Sequence, residues 1–284
     1  MKRIKVIAEI GINYAYGSSK LKFMENAKKL IKLASVAGCN FVKFQKRTPE
    51  LAVPDSQKDV SKDVPWREET TTYLQYKKDI EFSIEELDIL QDYALENGVG
   101  FFTSVWDLKS VEDMLQITDI VKIPSALVTN LDLLRKCKDP FSTKILSTGM
   151  STEEEIEDAV TALEPQVIMH TNSVYPTPVE DLNLGYIQFL RDTYTFEGYP
   201  EIGLSSHYYG IADAVSVVSQ VSWIEKHITL NHDFWGSDQK ASVEPHGLFE
   251  MMKKIRDMEK AFGGYGPRSL LPGEEIKRKS LRKV

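Results

Sequence analysis

Two of the chain's five histidines, His207 and His227, each close a short apolar run, EIGLSSH and WIEKHIT, with one helix-like stretch between them. Neutral imidazoles that meet at one rim are good ligands for a divalent ion. Glu9, late in the run IKVIAEI, adds a carboxylate if the first and last strands are neighbours. Two histidines, a carboxylate and water suit Mn²⁺, Fe²⁺, Co²⁺ or Zn²⁺, and an open site of that kind polarises a carbonyl or activates water. A lone histidine in such a position is more often a hydrogen-bonded residue of a packed rim; the shared rim favours the metal.

Lys43 and Lys122 raise a different question. Each sits inside an apolar run, NFVKFQ and DIVKIP, where an ammonium is costly to bury unless it meets an anion. Hydroxyls of Ser104, Ser125, Ser147 and Ser173 fall at the ends of the neighbouring runs. Together they describe a pocket for a small anion carrying phosphate and carboxylate. The competing reading pairs each lysine with a nearby Asp or Glu inside the core. A further cluster, NHDFWGSDQKASVEPHG, puts Asp238 and Lys240 on a Gly-containing loop expected over the mouth, or in a plain surface turn.

These residues need elements that bring them to one end. The runs 4–10, 40–45, 99–105, 119–124, 143–149, 166–172, 201–207 and 223–229 read as eight strands, each followed by helical spacing. Eight βα units without an interdomain linker, and without GxGxxG after the first strand, favour an α/β fold of one closed (β/α)8 TIM barrel over residues 1–284. Polar residues then collect at the carboxyl ends of the strands, where barrel enzymes keep their chemistry. Ser151 or Thr152 ahead of Glu154 and Glu155 suggests a capping box, and Gly38 and Gly98 suggest helix stops. The interval Ile211–Val221 reads as the helix between the last two strands. Residues 46–80 form a polar insertion after strand two, too long for an ordinary βα loop; it reads as a lid or as a disordered loop. Residues 264–284 read as a tail.

Composition narrows the class. A formal charge of −7 leaves no footprint for nucleic acid. Cys39 and Cys137 are too few for a disulfide framework or a cysteine zinc site, so a reducing, cytoplasmic setting is expected. The N-terminus lacks the apolar core of a secretory signal, and no run approaches the ~20 apolar residues that span a bilayer.

Taken in order, AEIGIN (8–13), VKFQ (42–45), KIPS (122–125), ILSTGMS (145–151), YPTP (175–178), IGLSSH (202–207), IEKHITL (224–230), Asp238 and KASVEP (240–245) resemble the sialic acid synthase family. These are the phosphoenolpyruvate-dependent N-acylneuraminate synthases and their legionaminate and pseudaminate relatives. The resemblance implies a metal-dependent condensation of phosphoenolpyruvate with the open-chain aldehyde of an N-acylated hexosamine, giving a nonulosonic 2-keto acid and phosphate. It implies that His207 and His227 bind Mn²⁺, or Mg²⁺ or Co²⁺ in its place. Lys43, Lys122, Ser125, Ser147, Ser173 and Ser205 would hold phosphoenolpyruvate, with Gln45 and Ser104 nearby. Glu9 would orient the water or the sugar, and Tyr175 and Asp238 would contact the sugar.

Departures from the family pattern are also legible. Leu127 stands where an acidic residue is frequent, and NYAYGS brings Tyr14, Ala15 and Tyr16 to what is expected to be the sugar side of the mouth. The resemblance implies a homodimer. It also implies a C-terminal antifreeze-like domain that this sequence does not include and that a separate chain would have to supply. Two rival readings are a 3-deoxy-ulosonate phosphate synthase, for whose sugar phosphate Lys46 and Arg47 are the rim candidates, and a barrel that binds ligand without turnover.

Overall fold

Period-two alternation decides which side chains enter the barrel. In the computed structural model, which describes residues 3–210, 212–263 and 266–282, the strands are β1 (Lys5–Gly11), β2 (Phe41–Lys46), β3 (Ser61–Lys62), β4 (Thr71–Thr72), β5 (Gly100–Val105), β6 (Ile120–Ile123), β7 (Thr143–Ser147), β8 (Val167–Thr171), β9 (Glu201–Ser206) and β10 (Trp223–His227). Eight of them close a parallel barrel in the order β1-β10-β9-β8-β7-β6-β5-β2. The eight runs expected from the sequence are these eight strands, each within a residue or two at its ends.

The barrel interior is stratified. Ile7, Phe102, Ile145, Val167, Met169 and Trp223 form a buried apolar cluster separate from the larger helix–sheet core. One step further along the same inward rows the residues turn polar: Glu9 follows Ile7, Ser147 follows Ile145, and Glu225 and His227 follow Trp223. Register fixes this layer, with Glu9 beside His227, Ser205 beside Glu225, Gln45 beside Ser104, and Ser104 beside Lys122. The apolar plug therefore floors a polar cup open at the carboxyl ends.

Outside, helices cover the strands by burying one stripe each. The helix Lys20–Ala37 starts on Ser19, ends at Gly38 with φ +86°, and buries Phe23, Ala27, Leu30, Ile31 and Ala34. Of the two capping-box candidates, Thr152 with Glu155 closes the box ahead of Glu153–Leu163.

Two expectations need correction. The insertion after β2 is folded, not disordered: helices Pro49–Ala52, Asp55–Lys58 and Tyr73–Ile80 flank the small β3–β4 ladder. Its polar sequence hides a few large apolar anchors. Val53, Val64, Tyr76 and Ile80 are buried, and Trp66 meets Phe23 and Trp235 edge-on at 5.1 and 5.0 Å. Between β9 and β10 the expected helix shrinks to Ala212–Val215; Ile211 lies outside the described residues. There Asp213 turns inward to meet Lys226, and Gln220 takes a positive φ of 56° before β10. The tail contains an exposed helix, Pro272–Leu281, while positions 264, 265, 283 and 284 of the expected tail lie outside the described residues.

Candidate active site

At the bottom of the cup two lysines and two carboxylates interlock. Lys43 Nζ lies 2.7 Å from Glu9 Oε2 and 3.8 Å from Glu225 Oε1, and Lys122 Nζ lies 2.7 Å from Glu225 Oε1. All four side chains are at most 5% exposed. Gln45 donates to Glu9, and Ser205 donates to Glu225. The lysines thus meet internal carboxylates, as the competing reading required, while still facing the cavity beside Ser104, Ser125, Ser147 and Ser173.

The two carboxylates are driven apart in proton affinity. Burial raises Glu9 above the ordinary carboxylate range, an effect that Lys43 opposes but does not cancel. Burial would raise Glu225 too, but Lys122 and Lys43 outweigh it and hold it at about 2. Burial likewise lowers Lys122, whereas Glu225 and Glu9 keep Lys43 above its usual value. Glu9 is the group that can carry a proton here, and Glu225 stays anionic, an assignment set by environment rather than residue type. Glu225 was overlooked as a site residue. The signal was present, because in WIEKHIT positions 225 and 227 share the inward face, while Lys226 points outward to a buried pair with Asp213 at 3.1 Å.

His207 and His227 do converge, with ring centroids 5.5 Å apart. The Asn172 carbonyl accepts from His207 Nδ1 at 2.6 Å, which fixes the tautomer and leaves Nε2 as the lone-pair nitrogen. Burial and the neighbouring His227 hold His207 down at about 3, so it is neutral in ordinary buffers. His227 Nδ1 is buried with no hydrogen-bond partner among the described residues. Tyr175 packs on His207 at 3.8 Å between centroids and meets His227 edge-on at 6.0 Å. A third protein ligand is not assembled: among the described residues no group of three or more His, Cys, Asp or Glu is placed to hold a metal. The Glu9 carboxylate is instead held by Lys43 and Gln45.

A hydroxyl cradle lies across the cup. Gly149 donates its backbone N–H to Ser125 Oγ at 3.1 Å. A side chain at Gly149 would come within 2.8 Å of Ser125 Oγ and closer still to Ser173 Oγ, so glycine is what lets both hydroxyls approach. Ser147 Oγ is buried and has no hydrogen-bond partner among the described residues. Asp238 stands at the rim opposite, within 3.6 Å of where a Gly11 side chain would begin.

The cavity, about 290 Å³, brings every expected site residue to its wall. Others expected nearby are turned away. Lys46 points outward to Glu81 at 3.2 Å, and Lys240 lines neighbouring pockets instead. Tyr14 is buried, donating to the Ile80 carbonyl and stacking on Phe82 at 4.3 Å; Ala15 is buried as well, and Tyr16 stacks on Phe234. None of these three lines the cavity, because the chain turns at Asn13, whose amide donates to the Ile228 carbonyl and Ser242. Leu127 packs against the helix–sheet core, so an acidic residue there would not simply point into the cup. Arg47, named above only for the rival sugar-phosphate reading, lines the cavity, as do Lys77, Trp106 and Ser237, which the sequence did not point to.

Fold and site together define a barrel whose carboxyl-end rim is built for small, charged substrates. The chain belongs to the NeuB family, whose model matches residues 30–266. It is 33% identical to an N,N'-diacetyllegionaminic acid synthase of Campylobacter jejuni, across 93% of this chain and 78% of that one. It is 32% identical to the human N-acetylneuraminate-9-phosphate synthase, across 98% and 76%. Among solved structures, an N-acetylneuraminic acid synthetase from Leptospira borgpetersenii, in complex with citrate, superposes with a TM-score of 0.83 at 28% identity, covering 100% of this chain and 94% of that one. These relatives are enzymes of acidic-sugar synthesis. Among the described residues no helix is long and apolar enough to cross a membrane.

Proposed function

We propose that the chain condenses phosphoenolpyruvate with the aldehyde of an open-chain N-acylated sugar, releasing phosphate and a nonulosonic 2-keto acid. The observation that carries this reading is the pairing of two buried lysines with a hydroxyl cradle on one side of the cup and two imidazoles on the other. One half suits an enol phosphate bearing a carboxylate, and the other suits a carbonyl that must be polarised.

A divalent ion fits the histidine pair, since His207 is held neutral with Nε2 free and His227 keeps a buried nitrogen without a partner. Such an ion, Mn²⁺ by the resemblance to the synthases among the ions that a two-imidazole, sulfur-free set accepts, would supply Lewis-acid polarisation of the aldehyde.

The protein's own groups do the rest. Lys43, Lys122 and the hydroxyls of Ser125, Ser147 and Ser173 hold phosphoenolpyruvate, and Tyr175 and Asp238 hold the sugar so that C3 of the enol faces the aldehyde carbon. As C3 attacks, Glu9 gives its proton to the new alkoxide and positive charge develops at C2. The fixed Glu225 carboxylate favours that charge. Water adds at C2 and Glu9 takes back a proton from it; as the C2–O bond breaks, the proton of the C2 hydroxyl leaves with phosphate and the ketone remains. The folded insertion of residues 46–80 is the cover of this reaction, because Lys77 of its last helix reaches the cavity wall and Trp66 and Tyr76 clasp Trp235 of the loop after β10.

The test is phosphate release by EDTA-stripped protein with Mn²⁺ restored, against N-acetylmannosamine, its 6-phosphate, 2,4-diacetamido-trideoxyhexoses, mannose and arabinose 5-phosphate. Release requiring both metal and an N-acylated sugar supports the reading. Release with arabinose 5-phosphate alone would transfer it to the 3-deoxy-ulosonate phosphate synthases, and none with any sugar would leave a binding barrel.

A further inference from the structure

Four cations line the cavity, but only two of them are neutralised. Lys43 and Lys122 have Glu9 and Glu225 within ion-pair distance, whereas Arg47 and Lys77 have no carboxylate that close among the described residues. Arg47 is 6% exposed, its guanidinium carbon lies 4.3 Å from the Trp106 ring centroid, and its Nε is buried without a partner. Of its five donors, one is used, from Nη2 to Gln45 Oε1 at 2.5 Å. Glu81 accepts from Lys46 and from Arg47's backbone N–H, and among the described residues it makes no hydrogen bond to the Arg47 guanidinium. Lys77 Nζ makes no hydrogen bond among the described residues and lies 4.8 Å from the Tyr76 ring centroid. Burial and the nearby Arg47 charge lower its pKa to about 7.

A buried guanidinium with idle donors is expensive unless something arrives to use them. Stacking on Trp106 fixes its plane, which suits bidentate capture of a phosphate or carboxylate. Its position argues for which substrate carries that group. Arg47 follows β2 and donates to Gln45, which itself donates to Glu9, whereas the Ser125–Gly149–Ser173 cradle lies at the ends of β6 to β8.

We propose that Arg47 and Lys77 form a second anion subsite, distinct from the phosphoenolpyruvate cradle, that takes an anionic group carried by the acceptor sugar itself, a phosphate ester or a carboxylate. The subsite deepens the synthase reading and rests on it for the identity of the second substrate. It comes from a residue pair that only the folded insertion brings together.

The experiment compares kcat/KM for N-acetylmannosamine 6-phosphate, the corresponding 6-carboxylate and N-acetylmannosamine in the parent, Arg47→Met and Lys77→Met, with phosphoenolpyruvate binding measured alongside. The parent favours one anionic sugar over the neutral one by roughly ten- to hundredfold, as expected of hydrogen bonds to a charged group, and each substitution removes most of that ratio. Which anionic sugar leads identifies phosphate or carboxylate as the source. Parity in the parent, or a ratio untouched by both substitutions, overturns the proposal. So does loss of phosphoenolpyruvate binding with the ratio intact, which would give Arg47 to the other substrate. Should no sugar support phosphate release, the synthase reading fails and calorimetry with the same sugars still decides. Tighter binding of an anionic sugar that Arg47→Met abolishes keeps the subsite, and equal binding removes it.

Discussion

Replacing Glu225 with glutamine keeps its shape and removes the one charge that both buried lysines share, at 2.7 and 3.8 Å. Breaking a buried pair by deleting one partner costs about 3–5 kcal/mol, because the other charge stays uncompensated. Part of that cost is capped, since Lys122, already lowered by burial, can shed its proton. For a chain of this size the loss corresponds to a fall in Tm of roughly 5 to 8 °C. Acid behaviour should change as well. In the folded parent Glu225 sits at about 2, below its unfolded value of about 4.5, so its stabilisation is present above pH 5 and is lost as pH falls toward 2. The variant lacks that contribution, and its stability should vary less between pH 5 and 3. Phosphoenolpyruvate should then restore what the carboxylate supplied. At a concentration a hundredfold above the parent's Kd the ligand adds about 2.7 kcal/mol to the parent's folded state, and at that same concentration the Tm gain should be larger in the variant, which binds it more tightly because its lysines have lost their internal anion. Differential scanning fluorimetry across pH, with and without phosphoenolpyruvate, reads all three effects. A Tm within about 2 °C of the parent, about what a 1 kcal/mol change would give, together with an equal ligand gain, would refute the interlocked floor.

Other expectations follow from single contacts. Gly149→Ala places a methyl group against Ser125 and Ser173 and should lower kcat/KM for phosphoenolpyruvate at least about tenfold, a loss of one hydrogen bond or more, while Mn²⁺ affinity holds. His207→Ala and His227→Ala should each weaken Mn²⁺ binding by about tenfold or more in calorimetry, and unchanged affinity would remove the metal from this pair. Lys226→Met strands the fully buried Asp213 carboxylate and should cost about 3–5 kcal/mol in urea unfolding, with Lys226→Met/Asp213→Asn recovering most of it. Trp235→Ala frees the edges of Trp66 and Tyr76 and should raise the sugar KM more than the phosphoenolpyruvate KM if residues 46–80 cover the site; equal changes would argue against a lid.

The barrel was legible because its strands are short, β-branched and punctuated, and because parity along them is simple to count. The same parity marks Glu225 and His227 as facing inward together, yet the lysines' partners went unrecognised, since which carboxylate meets Lys43 depends on a register between β1 and β2 that sequence does not print. Arg47 was weighed together with Lys46 for a sugar phosphate, and folding separates them: successive strand residues face opposite ways, so one enters the cup while the other meets Glu81. Tyr14 misled for a related reason. A tyrosine just past a strand end resembles a rim residue, but its ring is drawn into the core by Phe23, Phe44 and Phe82. The insertion was hardest to read, its few aromatic anchors lying among many charges.

The most direct test of the account follows one oxygen. Phosphoenolpyruvate labelled with ¹⁸O at the bridge between C2 and phosphorus should, with Mn²⁺ and the accepted sugar, deliver the label to inorganic phosphate, seen as an isotope shift in the ³¹P spectrum alongside one equivalent of the 2-keto acid. Label retained in the organic product would mean that the P–O bond breaks, against the proposed route, and phosphate formed equally well without sugar would mean that condensation is not the reaction.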